Sequence, residues 1–151
     1  MTTTDYDTDF YAWMQQQAQA LRAHDWAALD IEHLAEEIAD LWKWDRHNLD
    51  MLLLGLLEFT YGACRHDMGM YYWQSAVVDH HRGMLADSLE DSSRLVPFLR
   101  ERIPHAYAWA RKQLLKRRRP PSETPPEVCP WTFDQLVDED FWPPEAPPRL
   151  P

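Results

Sequence analysis

From Ile31 to Tyr61 the chain has no proline and a single glycine, Gly55. Nothing in that stretch would stop a helix once it had nucleated, yet one unbroken helix there would measure about 46 Å at the usual rise per residue. A compact chain of 151 residues has a radius of gyration of only about 15 Å. The stretch is therefore expected to break or kink. The spacing predicts the break in the polar patch Asp45-Arg46-His47-Asn48, with Asp45 capping a new helix. Beyond it, Leu49 to Phe59 is apolar nearly all round, the pattern of a buried central helix. Four glycines in the whole chain leave few loops with a positive backbone angle, which favours helices over a turn-rich β fold.

The same periodicity continues on both sides. Phe10, Trp13, Met14, Ala18 and Leu21 recur at three- and four-residue steps and predict a first helix over residues 7–22, with Asp7 or Thr8 as cap and Asp9 in the first turn. Asp30 precedes Ile31, Leu34, Ala35, Ile38, Leu41 and Trp42 and caps a second. Gly62 and Gly69 bracket a loop, after which Trp73, Val77, Met84, Leu85 and Leu89 mark a fourth helix running to about Glu90. A fifth follows Asp91-Ser92-Ser93 and carries Leu95, Phe98, Leu99, Ile103, Ala106, Tyr107, Ala110 and Leu114. Pro97 is tolerated in its first turn, whereas Pro104 should kink it. Residues 120–151 hold ten of the twelve prolines together with Val128, Trp131, Phe133, Leu136, Val137, Phe141 and Trp142. A disordered tail lacks such large apolar groups, so an extended segment lying across the bundle is expected, with a short helix near Thr132 to Val137. The expected fold is a single all-α domain: a bundle of four or five main helices over about 7–119, and a proline-rich segment over 120–151.

Charge is unevenly spread. Residues 1–92 hold five Lys/Arg against seventeen Asp/Glu, residues 93–119 nine against one, and residues 120–151 one against seven. The basic stretch either neutralises its own neighbours or forms an anion-binding face. The N-terminus has neither a basic nor an apolar signal region. The longest apolar run, Met51 to Leu54, is too short to span a bilayer. Cys64 and Cys129 form no CxxC pair, as suits a reducing compartment. These features predict a cytoplasmic protein with no membrane span.

Three groups of residues invite a chemical reading. His66 and Asp67 in the loop, with His80 and His81 on the fourth helix, are candidate metal ligands or acid–base groups. The spacings of a paired-histidine zinc helix are absent, and the nearest Glu-x-x-His analogue is Asp30-x-x-His33 at a helix start. Glu32, Glu36, Glu37 and Asp40 form a carboxylate face at three- and four-residue steps. Arg111, Lys112, Lys116, Arg117, Arg118 and Arg119 gather where the dipole of the fifth helix favours cations. An anion or RNA could use them, although a pI near 5.0 disfavours nucleic acid. No Gly-rich nucleotide cradle and no nucleophile–base motif is present, so no cofactor is indicated by a motif.

Several short patterns together resemble the bacterial DUF29 domain, a family of unknown function common in cyanobacteria and proteobacteria. They begin with Tyr6-x-x-Asp9-Phe10-Tyr11-x-Trp13 and Asp30-x-x-x-Leu34-Ala35-Glu36-Glu37-Ile38. Trp73, Arg82, Leu89-Glu90-Asp91-Ser92 and Ala106-Tyr107-x-x-Ala110-Arg111 follow, and the most specific piece is Cys129-Pro130-Trp131-Thr132 ahead of Asp140-Phe141. The resemblance covers roughly Tyr6 to Pro143. It implies an α-helical bacterial protein and supplies no activity. The reading that follows is a non-enzymatic interaction or regulatory module with a protein partner or self-association. A metal-dependent enzyme using the His/Asp groups stands second, and an anion- or RNA-binding protein third.

Overall fold

A computed structural model describes residues 6–63, 67–119, 121 and 123–148. Its ordered elements are α1 (Phe10–Ala23), α2 (Ile31–Asp40), α3 (Lys43–Tyr61), α4 (Met68–Asp91), α5 (Val96–Leu115) and α6 (Phe133–Val137), with short 3₁₀ turns at Trp26–Ala28 and Ser93–Leu95. No strand occurs among the described residues, so the fold is all-α. The chain divides into two compact units, Met1–Trp42 and Lys43–Pro151.

The first unit consists of α1, the turn and α2. Asp9 caps α1 by accepting the N–H of Ala12 at 2.9 Å; the cap therefore lies one or two residues later than the predicted Asp7 or Thr8. His24 closes the helix in the left-handed region, at φ 56°, and its N–H is shared between the carbonyls of Ala20 and Leu21. Trp13, Gln17 and Ala20 are the buried residues of α1, spaced at four and three residues along one face. The predicted stripe is only partly enclosed: Phe10, Met14 and Leu21 each remain more than 40% exposed. In α2 no residue is buried.

The predicted break in the proline-free stretch exists but falls earlier, at Leu41-Trp42, between the end of α2 and the start of α3. Asp45 then lies in the first turn of α3 rather than at its cap, a place where the helix dipole still favours its charge. The polar patch does not interrupt the helix because Asn48 is buried and faces a partner, the ring Nδ1 of His81, at 2.8 Å. A polar residue whose hydrogen bonds are met by a neighbouring helix has no reason to end its own.

In the second unit α3 is the central helix, as its composition predicts. Leu49, Leu52, Leu53, Leu56, Leu57 and Phe59 are fully enclosed, with α4 and α5 packed along it. At Gly55 a β-carbon would come 2.5 Å from Val78 Cγ2, so the close approach of α3 to α4 requires glycine there. The buried face of α4 is Tyr71, Gln74, Val78, Arg82 and Leu85, rotated from the predicted stripe. Trp73 is 63% exposed and Met84 is 42% exposed. Two polar residues, Gln74 and Arg82, sit on the inner face, where an apolar periodicity cannot find them. α4 also begins at Met68, so Gly69 lies inside it. α5 buries Leu99, Ala106, Tyr107, Ala110 and Leu114 and runs on through Pro104, while Phe98 stays 58% exposed.

The C-terminal segment behaves as a strap. Thr132 and Gln135 form a reciprocal capping box at the start of α6, the arrangement that satisfies two orphan donors at once. Trp131, Phe133 and Leu136 enter the core, whereas Val128 remains 79% exposed. Side chains of the helices donate to main-chain oxygens of the strap. Arg82 Nε reaches Leu136 O at 2.9 Å, Tyr107 Oη reaches Pro126 O at 2.9 Å, Arg111 Nε reaches Pro125 O at 3.0 Å and Tyr71 Oη reaches Pro148 O at 2.8 Å. A proline-rich segment lacks the N–H groups to build a ladder, and these donors supply what a neighbouring strand otherwise would. Among the described residues no helix is long and apolar enough to cross a membrane.

Candidate functional site

The densest set of interacting polar and aromatic side chains in the first unit is built around Asp30. Its Oδ1 accepts the N–H of His33 at 3.3 Å, capping α2. Its Oδ2 lies 2.7 Å from Nδ1 of His33 and accepts the indole N–H of Trp13 at 3.3 Å. Its own N–H donates to Oε1 of the buried Gln17 at 2.8 Å. One carboxylate thus joins α1 to α2 through both its side chain and its main chain. Tyr6 stacks on the His33 ring, with centroids 4.1 Å apart and planes 16° apart, and meets Trp13 and Phe10 edge to face. The Tyr6 hydroxyl donates to Glu37 Oε1 at 2.5 Å.

The charges follow from this geometry. The hydrogen bond to His33 holds the Asp30 carboxyl below the usual carboxylate value, against the opposing effect of lost solvent. The same bond raises His33 above the ordinary imidazole value. Tyr6 is pushed up to about 12, first by the hydrogen bond to Glu37 and then by lost solvent and the neighbouring carboxylates. The network therefore favours the charged form of His33, held between a carboxylate and an aromatic face, an arrangement in which ring stacking and charge pairing act together. An Asp–His pair also orients imidazole bases in hydrolases. Here both oxygens of the Asp30 carboxylate are engaged, Oδ1 in capping α2 and Oδ2 in bonding His33 and the Trp13 indole of α1.

Of the predicted carboxylate face, Glu37 enters this network, whereas Glu32 and Glu36 are exposed and Asp40 is half-buried. The sequence reading missed His33 and Tyr6 as members. The available signal was the three-residue spacing of Asp30 and His33, which places a cap carboxylate beside a first-turn imidazole.

The other predicted groups lie in the second unit. His66 falls outside the described residues. Asp67 accepts the N–H of Met70 at 3.0 Å and caps α4. His80 is exposed and its ring centroid is 5.1 Å from that of His81, which in turn is 5.7 Å from His47. Burial, helped by these two neighbouring imidazoles, lowers His81 to about 4. The neutral ring then donates through Nδ1 to Asn48. Among the described residues no three His, Cys, Asp or Glu side chains converge at metal-binding spacing.

The basic end of α5 is divided. Arg111 holds the strap at Pro125, and Arg117 Nε pairs with Oε1 of the buried Glu58 at 2.8 Å. Lys112, Lys116, Arg118 and Arg119 are exposed. Glu58 is the residue that the apolar reading of α3 passed over, and it supplies one of the neighbours that this basic stretch neutralises.

The comparisons with known proteins agree with the pattern of residues. No curated protein and no solved structure matches the chain. The family model described as "Domain of unknown function DUF29" matches residues 6–142, from Tyr6 of the aromatic cluster to Trp142 of the strap. The chain belongs to the DUF29 family.

Proposed function

We propose that the protein is a non-enzymatic cytosolic interaction module that binds a basic, apolar-faced helix of a partner protein along α2. The observation that carries this reading is the open face of that helix. Ile31, Ile38 and Leu41 are 63%, 65% and 74% exposed, and their spacing puts them on one side. Exposed apolar residues grouped in this way, rather than scattered, mark interaction surfaces. Trp26 and Tyr11, 65% and 68% exposed, add aromatic groups of the kind enriched at interfaces. Charge selects the partner: residues 1–42 hold nine Asp/Glu against one Arg, so a second copy would meet like charge and a basic helix would be attracted. The Asp30 network makes the face preformed, because it fixes α2 against α1 and lowers the ordering cost of binding.

A titration of the full chain with a fluorescent Leu/Lys amphipathic helical peptide tests this. Binding is expected to weaken with salt and to disappear in the Ile31→Ser/Ile38→Ser/Leu41→Ser variant. Equal binding of a Leu/Glu peptide, or unchanged binding by the triple variant, would overturn the reading. Concentration-dependent dimerisation without peptide binding would replace the partner with a second copy.

A further inference from the structure

The C-terminal half of α1 and the turn that follows it enclose a cavity of about 540 Å³, open on one side. Its size falls within the range of small-ligand sites, about 300–1,000 Å³. Gln17 and Ala20 form the buried floor, with 2% and 8% of their surfaces exposed, and Ala23, Ala27 and Ala28 contribute methyl groups to the walls. Gln17 is the informative residue. Its Oε1 is held by the N–H of Asp30 at 2.8 Å, which fixes the carboxamide plane. The amino group has no hydrogen-bond acceptor among the described residues, although the side chain is almost wholly buried and lines the cavity. That amino group stays reachable from the open side of the cavity, so an acceptor atom of a ligand can take its N–H. At the rim stands Asp25, which occupies the cap position of the 3₁₀ turn but makes no side-chain cap bond. Its exposed carboxylate is an acceptor available to an incoming N–H.

These groups set the chemistry of the occupant. Short alanine methyls leave room for a flat ring, the Gln17 amino group calls for a ring nitrogen or carbonyl oxygen, and Asp25 calls for a donor. We infer that the cavity is a binding site for a planar nitrogen heterocycle bearing an exocyclic amine, of the aminopyrimidine or aminopurine class. The ring nitrogen accepts from Gln17, the amine donates to Asp25, and the ring lies on the methyls of Ala20, Ala23 and Ala27. The site is separate from the open face of α2 and needs no partner protein.

Nuclear magnetic resonance titration of the full ¹⁵N-labelled chain with adenine, 2-aminopyrimidine and unsubstituted purine reads the site directly. Saturable shifts are expected at residues 16–30 with the two amines at millimolar or lower concentration, with purine weaker by about tenfold, since a site built for a donor rejects the analogue lacking it. Asp25→Asn should remove that discrimination. Ala27→Trp, an exposed position whose new ring fills the cavity, should abolish binding while far-ultraviolet circular dichroism stays unchanged. Absence of saturable shifts with any probe would overturn the proposal. So would binding that survives Ala27→Trp, and purine binding as tightly as adenine would refute the assigned ligand class.

Discussion

The two units of this chain hold themselves together by different means. The second is organised on area: α3 is enclosed along most of its length, and the buried residues of α4, α5 and the strap join it in one apolar cluster. The first buries only Trp13, Gln17 and Ala20 within α1 and nothing within α2. It relies on directed contacts, with a cap carboxylate shared by an imidazole, an indole and a neighbouring helix. Apolar burial is additive and tolerant of angle. A hydrogen-bonded network is neither, and losing one member leaves the others unsatisfied. The contrast shows that one chain can place its stability in one region and its sensitivity in another.

The largest effect that would sharpen this contrast is a core deletion. Leu53→Ala, at a fully enclosed position of α3, should cost about 2–5 kcal/mol in urea unfolding. Amides of the first unit should exchange before those of α3 in both the parent and the variant. A loss under about 1 kcal/mol would show that α3 is not the core that its burial indicates. Arg82→Leu comes next. Arg82 is 2% exposed and its guanidinium is bonded to a strap carbonyl, and hydrogen bonds of charged groups are worth about 1.5–3 kcal/mol. The expected outcome is faster proteolysis within residues 123–140, with the far-ultraviolet signal of the helices kept. A strap as resistant as before would mean that its apolar anchors suffice.

The smallest effect separates the units by pH. His33 is raised above 6.5 in the folded chain, so the stability it adds is complete below 6.5 and is lost as pH rises through the folded value. Asp30 is lowered below 3.8, so its contribution is present above 3.8 and lost as pH falls through the folded value. His81 has the opposite sign to His33. Its folded value is about 4 against 6.5, so the second unit weakens as pH falls from 6.5 to about 4. Hydrogen exchange corrected for intrinsic rates should show protection of α3 and α4 declining over that acidic window while α1 and α2 hold. Above 6.5 the first unit should be the one to lose protection. His81→Gln should flatten the acid limb and His33→Gln the alkaline one. Parallel pH profiles in the two units would contradict the assignment.

How much of this was legible in the sequence differs between the same two regions. The helix set, the central role of Leu49 to Phe59, the Asp30 cap and the short helix in the strap follow from periodicity and capping chemistry, which are local. The break at Leu41-Trp42 and the rotated face of α4 depend on which polar residues find partners across helices. Asn48 with His81, and Arg82 with Leu136 O, are choices made in three dimensions. For the candidate site, the spacing gave Asp30 and Glu37, but the stacking of Tyr6 on His33 joins residues twenty-seven positions apart. No local pattern encodes that contact. The basic cluster at 111–119 was visible as charge, yet its division into two clamps and an exposed remainder required Glu58 and the strap to be seen in place.

The strap is gripped chiefly by its main chain. Arg82, Tyr107, Arg111 and Tyr71 all bind carbonyl oxygens, an atom that every amino acid provides. Substitutions at the gripped positions should therefore be tolerated over evolutionary time far better than insertions or deletions between them, because the former keep the acceptors and the latter shift them out of reach. Drift in this part of the family would preserve spacing while side-chain identity wanders, except at Trp131, Phe133 and Leu136, where the strap enters the core. A search for distant members would do well to weigh segment length and those three anchors above the letters between them.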